Sequence, residues 1–162
     1  MGTGKSAAGR RLAARLGRKF FDTDEFIEQT AKTSISHIFA EKGELYFREL
    51  EKQMITQVCH EKNAVIATGG GAMIDEENVA RLKESGTVIC LTATPEIILE
   101  RVRGNSERPL LQGSDPLEKI RSLLTARADT YAKANMTINT SNLDIDRVVE
   151  TIITALKREE RD

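Results

Sequence analysis

The sequence predicts an α/β fold with a mainly parallel sheet, and three observations carry the prediction. Four short β-rich runs alternate with longer segments of helical periodicity. Several runs are apolar without alternation, as expected of strands covered on both faces. Pro95 and Pro116 suit the first turns of two helices. The β-rich runs are Lys19-Phe20-Phe21, Ala64-Val65-Ile66-Ala67, Thr87-Val88-Ile89-Cys90-Leu91 and Met136-Thr137-Ile138.

The helical elements follow from spacing. Gly9, Leu12, Ala13 and Leu16 recur at helical intervals and predict a helix over Lys5–Leu16. A second helix fits 44–61, with Phe47, Leu50, Met54 and Val58 as its apolar stripe. Further helices fit Glu76–Ser85, Pro95–Val102, 116–133 and 144–158. The stretch 104–115 lacks periodicity, holds Gly104, Pro109 and Gly113, and reads as a mobile loop between two helices. No internal repeat or low-complexity segment interrupts this order.

Composition narrows the class. The chain has 162 residues, a formal net charge of -1 and 40% hydrophobic residues. That length suits one domain over 1–162. The near-neutral balance argues against a general nucleic-acid binder. No apolar run approaches the length of a membrane span, and no charged-then-apolar leader suggests secretion. Cys59 and Cys90 read as reduced thiols acting as small hydrophobes in a cytosolic protein. His37 and His60 lack ligand spacing, so a zinc site is not expected.

Gly4-Lys5-Ser6 closes a phosphate-binding loop pattern. Backbone N–H groups in such a loop point at phosphate oxygens, and the following helix adds its positive end. Lys supplies a flexible charge to the β- and γ-phosphates, and the Ser hydroxyl can ligate Mg²⁺. A glycine turn that merely caps a helix is the plainer alternative; the amphipathic helix directly behind the loop favours the phosphate site. The full pattern is Gly-x-x-x-x-Gly-Lys-Ser/Thr, and this sequence starts inside it. The first Gly, the next residue and the feeding strand of ~5–6 residues are not in it. That strand would lie inside the sheet. The expectation is a sheet with two exposed strand edges, and a chain that is unstable or inactive as written.

Asp22-Thr23-Asp24 follows the first strand run. One carboxylate can hold a metal-bound water while the other takes a proton from an attacking hydroxyl. Capping of the next helix is the plainer reading, and the two can coexist. Gly69-Gly70-Gly71 ends the second run through Thr68. It is either a flexible turn or a place where ligand and backbone approach closely at the carboxyl end of a strand. Two charges break helical stripes. Glu51 intrudes beside Phe47 and Ile55, with Arg48 three residues away to pair with it. Arg127 sits among Ile120, Leu123, Leu124 and Tyr131. Internal ion pairs or snorkelling would satisfy them, but two arginines also suit an anionic carboxylate substrate. Arg101 and Arg103 precede the loop, and Arg108-Pro109-Leu110-Leu111 lies inside it; an Arg there can neutralise a transferring phosphoryl group.

Together these motifs resemble shikimate kinase, within the three-layer P-loop fold of nucleoside monophosphate kinases. The match runs in order through Met-Gly-Thr-Gly-Lys-Ser, Asp-Thr-Asp, Phe47-Arg48-Glu49-Leu50-Glu51, Thr68-Gly69-Gly70-Gly71, Arg108-Pro109-Leu110-Leu111 and Arg127-Ala128-Asp129-Thr130-Tyr131, and covers essentially the whole chain. The resemblance implies ATP-dependent phosphorylation of the shikimate 3-hydroxyl, with Mg²⁺, in chorismate and aromatic amino acid biosynthesis. It implies that Gly2, Thr3, Gly4, Lys5, Ser6 and Ala7 cradle the nucleotide phosphates. Ser6 and Asp22 would hold the metal, Asp22 through water. Asp24 would be the base. Arg48 and Arg127 would clamp the shikimate carboxylate, with Glu51, Gly69, Gly70 and Gly71 shaping the pocket. Arg108, on a lid at 104–115, would touch phosphates and substrate. Arg101 would pack on adenine near a segment around 140–142. A monomer in the cytoplasm is implied. The alternatives are another small-molecule kinase of this fold, for gluconate or nucleotides, and an inactive nucleotide-binding fragment.

Overall fold

The computed structural model describes residues 2–103 and 115–159. Helix α1 (Lys5–Leu16) leads into strand β1 (Lys19–Asp22), then α2 (Thr23–Ala31), α3 (Ile35–Val58) and β2 (Ala64–Ala67). A 3₁₀ turn (Ala72–Ile74) precedes α4 (Glu76–Ser85), β3 (Ile89–Thr92) and α5 (Pro95–Val102). Helices α6 (Pro116–Ala126) and α7 (Ala128–Tyr131), strand β4 (Met136–Asn139) and helix α8 (Ile145–Glu159) complete the order.

All strand pairing is parallel, as the unalternating runs predict. β1 pairs with β2, Lys19 opposite Ala64, and β3 pairs with β4, Ile89 opposite Met136. The two pairs form separate two-stranded sheets. Among the described residues, β2 and β3 therefore each present one edge without a partner strand.

Helices α1 and α8 pack together over the strands through Ala8, Leu12, Val149 and Ile152, which meet Ile138 of β4. Burying each such aliphatic side chain is worth roughly 1.5–3 kcal/mol. Ile55 of α3 packs with Met73, Val79 and Leu82, so α3, the 3₁₀ turn and α4 share one core. Ile98 and Val102 of α5 meet Ile120 of α6 in another. No described helix is long and apolar enough to cross a membrane.

Several boundaries differ from the sequence prediction. The helix expected over 44–61 begins nine residues earlier, at Ile35, and is kinked at Gly43, whose φ of 81° lies outside helical space. Ser34 caps its start, accepting from the His37 N–H. Helix α2 has no range in the prediction, which places only a helix start to be capped at Asp22-Thr23-Asp24, and Asp22 is that cap. The helix expected over 116–133 breaks at Arg127, where φ is -107° and ψ is 4°. Arg127 thus stands at a joint between two helices and not within one apolar stripe. β3 starts later than its run because Val88 is engaged with Asn135: the Val88 N–H donates to Asn135 Oδ1 and its carbonyl accepts the Asn135 N–H, both at 2.9 Å.

Candidate active site

The phosphate side is built where α1 begins. Gly4 caps the helix with φ 86°, a left-handed conformation that glycine adopts without a Cβ penalty. No side chain caps the α1 N-terminus, and the positive end of a helix dipole suits an anion. Ser6 Oγ donates to Asp22 Oδ2 at 2.6 Å, which brings the two expected metal ligands together. Asp22 also caps α2, its other oxygen accepting from the Asp24 and Glu25 N–H groups at 3.0 and 3.4 Å. Helix capping and contact with Ser6 therefore coexist in one carboxylate. Behind the loop, Thr140 ties three segments together. Its hydroxyl lies 3.0 Å from the Thr92 carbonyl and 3.3 Å from that of Thr3, and Arg101 Nη1 donates to it at 3.0 Å. Arg101 Nη2 donates to the Thr140 carbonyl at 2.7 Å. Arg101 and the segment beginning at Thr140, both expected at the adenine, are thus in contact.

The acceptor side gathers around the three glycines. The Gly69 N–H donates to Thr23 Oγ1 at 3.2 Å, anchoring the turn to the start of α2. A Cβ at Gly69 would lie 2.7 Å from Glu51 Oε1 and 2.8 Å from Asp24 Oδ1. One at Gly71 would lie 2.3 Å from the Arg48 guanidinium. Both approaches are closer than a Cβ permits, so a side chain at either glycine would displace the ends of Glu51 and Asp24 or of Arg48. The carbonyl of Gly70 accepts from Arg127 Nη1 at 3.2 Å and from the Tyr131 hydroxyl at 2.9 Å. Arg48 Nη1 donates to Glu51 Oε2 at 2.8 Å, and Glu44 takes the Nε and Nη2 donors at 3.2 and 2.9 Å. Glu51 is 1% exposed, and its Oε1 has no hydrogen-bond partner among the described residues. Both sides open into one cavity of about 1720 Å³, lined among others by Lys5, Asp24, Arg48, Glu51 and Arg127.

The family model for shikimate kinase matches residues 1–157. The chain belongs to the shikimate kinase family. It is 44% identical over 158 residues to a shikimate kinase of Thermoanaerobacter pseudethanolicus, covering 98% of this chain and 92% of that one. It is 45% identical over 157 residues to a shikimate kinase of Pelotomaculum thermopropionicum, covering 97% and 91%. Among solved structures, shikimate kinase from Acinetobacter baumannii in complex with shikimate superposes with a TM-score of 0.95 at 36% identity, over 100% of this chain and 91% of that one.

Shikimate kinase family membership gives the electrostatics of the pocket a context. Burial pushes the Glu51 carboxyl above its ordinary range; the Arg48 hydrogen bond pulls the other way and Asp24 adds to the push. For Arg48 burial acts downward, but its bonds to Glu51 and Glu44 outweigh it and hold the guanidinium firmly charged. The partners are affected differently because Glu51 is wholly enclosed while Arg48 reaches the cavity. Residues implied by the shikimate kinase resemblance therefore converge in two groups, with Asp22 and Asp24 at the seam. Arg108 and nearly all of the predicted lid at 104–115 lie outside the described residues. Three contributors were not singled out from sequence. Thr23 was visible only as the centre of Asp-Thr-Asp, Tyr131 only as a stripe member four residues from Arg127, and Thr140 only as the start of a segment.

Proposed function

We propose that this chain transfers the γ-phosphoryl group of ATP to the 3-hydroxyl of shikimate, giving shikimate 3-phosphate and ADP. The observation that carries the reading is the pair of arginines on adjacent glycines: Arg127 on the Gly70 carbonyl and Arg48 against Gly71, across the turn from Asp24. Two guanidinium groups at one small turn suit a carboxylate, while Asp24 and the unpartnered Glu51 Oε1 suit hydroxyl groups on the same ring.

Lys5 and the N–H groups at the start of α1 hold the phosphates. Ser6 and Asp22 fit Mg²⁺, since a hydroxyl and a carboxylate already meet there at 2.6 Å; the ion would supply charge neutralisation between the phosphates. Asp24 accepts the proton of the attacking hydroxyl. The acceptor oxygen forms its bond to the γ-phosphorus as the bond to the β-phosphate oxygen breaks, and ADP leaves with that electron pair. Arg108 completes this reading as the neutraliser of the transferring group. The reading carries with it a single domain acting as a monomer in the cytoplasm.

A coupled ADP assay with Mg-ATP tests it against shikimate, gluconate and nucleoside monophosphates as acceptors. Turnover that depends on shikimate alone is expected. Turnover with gluconate or a nucleotide in its place would assign the chain another acceptor, and no acceptor-dependent turnover by a folded chain would remove the kinase reading.

A further inference from the structure

Arg127 stands at the joint of α6 and α7, and α7 gives it little apolar support. The helix has four residues, and none of them is buried. No side chain caps its start. What ties the joint down is polar. The Tyr131 N–H donates to the Arg127 carbonyl at 2.9 Å, so a single turn closes on itself and sets both side chains on one face. Those side chains meet at one atom. The Gly70 carbonyl oxygen lies 2.9 Å from the Tyr131 hydroxyl and 3.2 Å from Arg127 Nη1. A carbonyl oxygen has two lone pairs, and here each has a donor.

The two donors are not equivalent. Tyrosine is a rigid ring that turns on two torsions, so its hydroxyl holds the carbonyl at little cost in order. Arg127 is a long flexible chain whose charge faces the cavity that Tyr131 also lines. The peptide they share is fixed at its neighbours: the Gly69 N–H donates to the buried Thr23 hydroxyl, and Gly71 lies against the Arg48 guanidinium. Arg48 and Arg127 therefore meet one turn from two sides. The placement of one guanidinium relative to the other is set through that turn, and Tyr131 is the neutral group that holds its carbonyl.

We propose that Tyr131 is a positioning residue for the acceptor: its hydroxyl fixes the Gly70 carbonyl, and through that carbonyl the direction of the Arg127 guanidinium toward a substrate carboxylate. The inference rests on the function proposed above. Without the hydroxyl, Gly70 keeps only the longer bond from Arg127, and one guanidinium must serve as anchor and as ligand at once. The charges of the site and Asp24 are untouched, so the loss falls on acceptor binding and not on the chemical step. A tyrosine that only pinned α7 to the turn would act on Tm and on both substrates alike.

The test is Tyr131→Phe, which keeps the ring and deletes the hydroxyl, assayed beside Arg127→Ala and the double variant. With Mg-ATP, the shikimate KM should rise about threefold to tenfold, the size of one neutral hydrogen bond, while kcat and the ATP KM hold. In the Arg127→Ala background the same substitution should change the shikimate KM by less than about twofold, since the group it positions is gone. The methyl ester of shikimate, which has no carboxylate, should be indifferent to Tyr131→Phe. A second measurement needs no substrate. Exchange of the Arg127 Nε proton, followed by NMR on the free chain, should speed up about threefold or more in Tyr131→Phe. The proposal fails if that exchange is unchanged. It fails equally if both KM values rise together, or if the effect persists in full without Arg127; either outcome would make Tyr131 a support of the fold. The parent chain is the separate check on the functional reading: no shikimate-dependent turnover there removes the acceptor, and the proposal with it, even where Arg127 exchange responds.

Discussion

The acceptor pocket and the phosphate loop are built to different standards of support. The pocket rests on the paired strands β1 and β2 and on α2 and α3, and its charges are locked by short contacts. Arg48 bridges Glu44 and Glu51, Thr23 holds Gly69, and Arg127 with Tyr131 holds Gly70. The loop at Gly2–Gly4 meets Thr140 through the Thr3 carbonyl and lies against Ile98 and Val102 of α5 at Gly2. On the proposed function, the groups that would orient the acceptor are held by side-chain contacts within the pocket, whereas the loop that would meet the phosphates is held through backbone contacts to its neighbours. Catalysis by positioning needs both halves at once.

Substitutions can break that comparison, and the largest effect belongs at the seam. Asp24→Asn keeps the shape of the pocket and removes the base, so kcat should fall ~10²–10⁴-fold with both KM values nearly unchanged; a variant with unaltered turnover would dismiss Asp24 as the base. Gly69→Ala comes next. Its Cβ displaces the ends of Glu51 and Asp24, and a shift of this size costs about 10²-fold in kcat/KM for shikimate. Tm should move little, because both displaced groups end flexible side chains. A large fall in Tm with normal kinetics would show that the turn serves the fold and not the site.

Arg127→Ala removes a charge-assisted contact and should raise the shikimate KM ~10–100-fold while the ATP KM stays put. If ATP affinity falls instead, the carboxylate clamp is wrongly assigned. Thr140→Val sharpens the other half of the comparison. Loss of the bond accepted from Arg101 and of the one donated to a backbone carbonyl should raise the ATP KM by roughly tenfold and leave shikimate alone. Equal effects on both substrates would mean the two halves are coupled through the sheet.

The smallest effect is on pH dependence. The folded state raises the Glu51 carboxyl above its unfolded value, so the native chain binds the extra proton. That contribution to stability is fully present below the unfolded carboxylate pKa and is lost as pH rises through the higher folded value. Chemical denaturation across acidic pH should show this decline in the parent chain, and Glu51→Gln should flatten it. An unchanged slope would place the raised proton affinity elsewhere.

Much of the site was legible in sequence because its chemistry is local. Gly4-Lys5-Ser6 carries its function in adjacent residues, and Asp22 and Asp24 flank a helix start where spacing alone aligns them. The Arg48–Glu51 pair follows from helical separation. Arg127 was legible as a misplaced charge but not as a helix joint, since periodicity runs on through a break of one residue. Helix α2 was legible only as a start to be capped at Asp22-Thr23-Asp24. Thr140 was obscured for another reason. Its partners Thr3, Thr92 and Arg101 are remote in sequence, and only parallel pairing of β3 with β4 brings them to one hydroxyl.

By itself the sequence determined the alternation of strands and helices, the parallel direction of the strands, and the family to which its motifs belong. Those follow from hydrophobic period and from motif spacing, which are properties of neighbouring residues. The tertiary structure alone decided that Glu51 is enclosed with one oxygen unpaired among the described residues, that Gly69 and Gly71 lie against charged side chains, and that Arg127 stands at a joint between two helices. These depend on which surfaces pack together across the chain, and packing is a property of the folded whole.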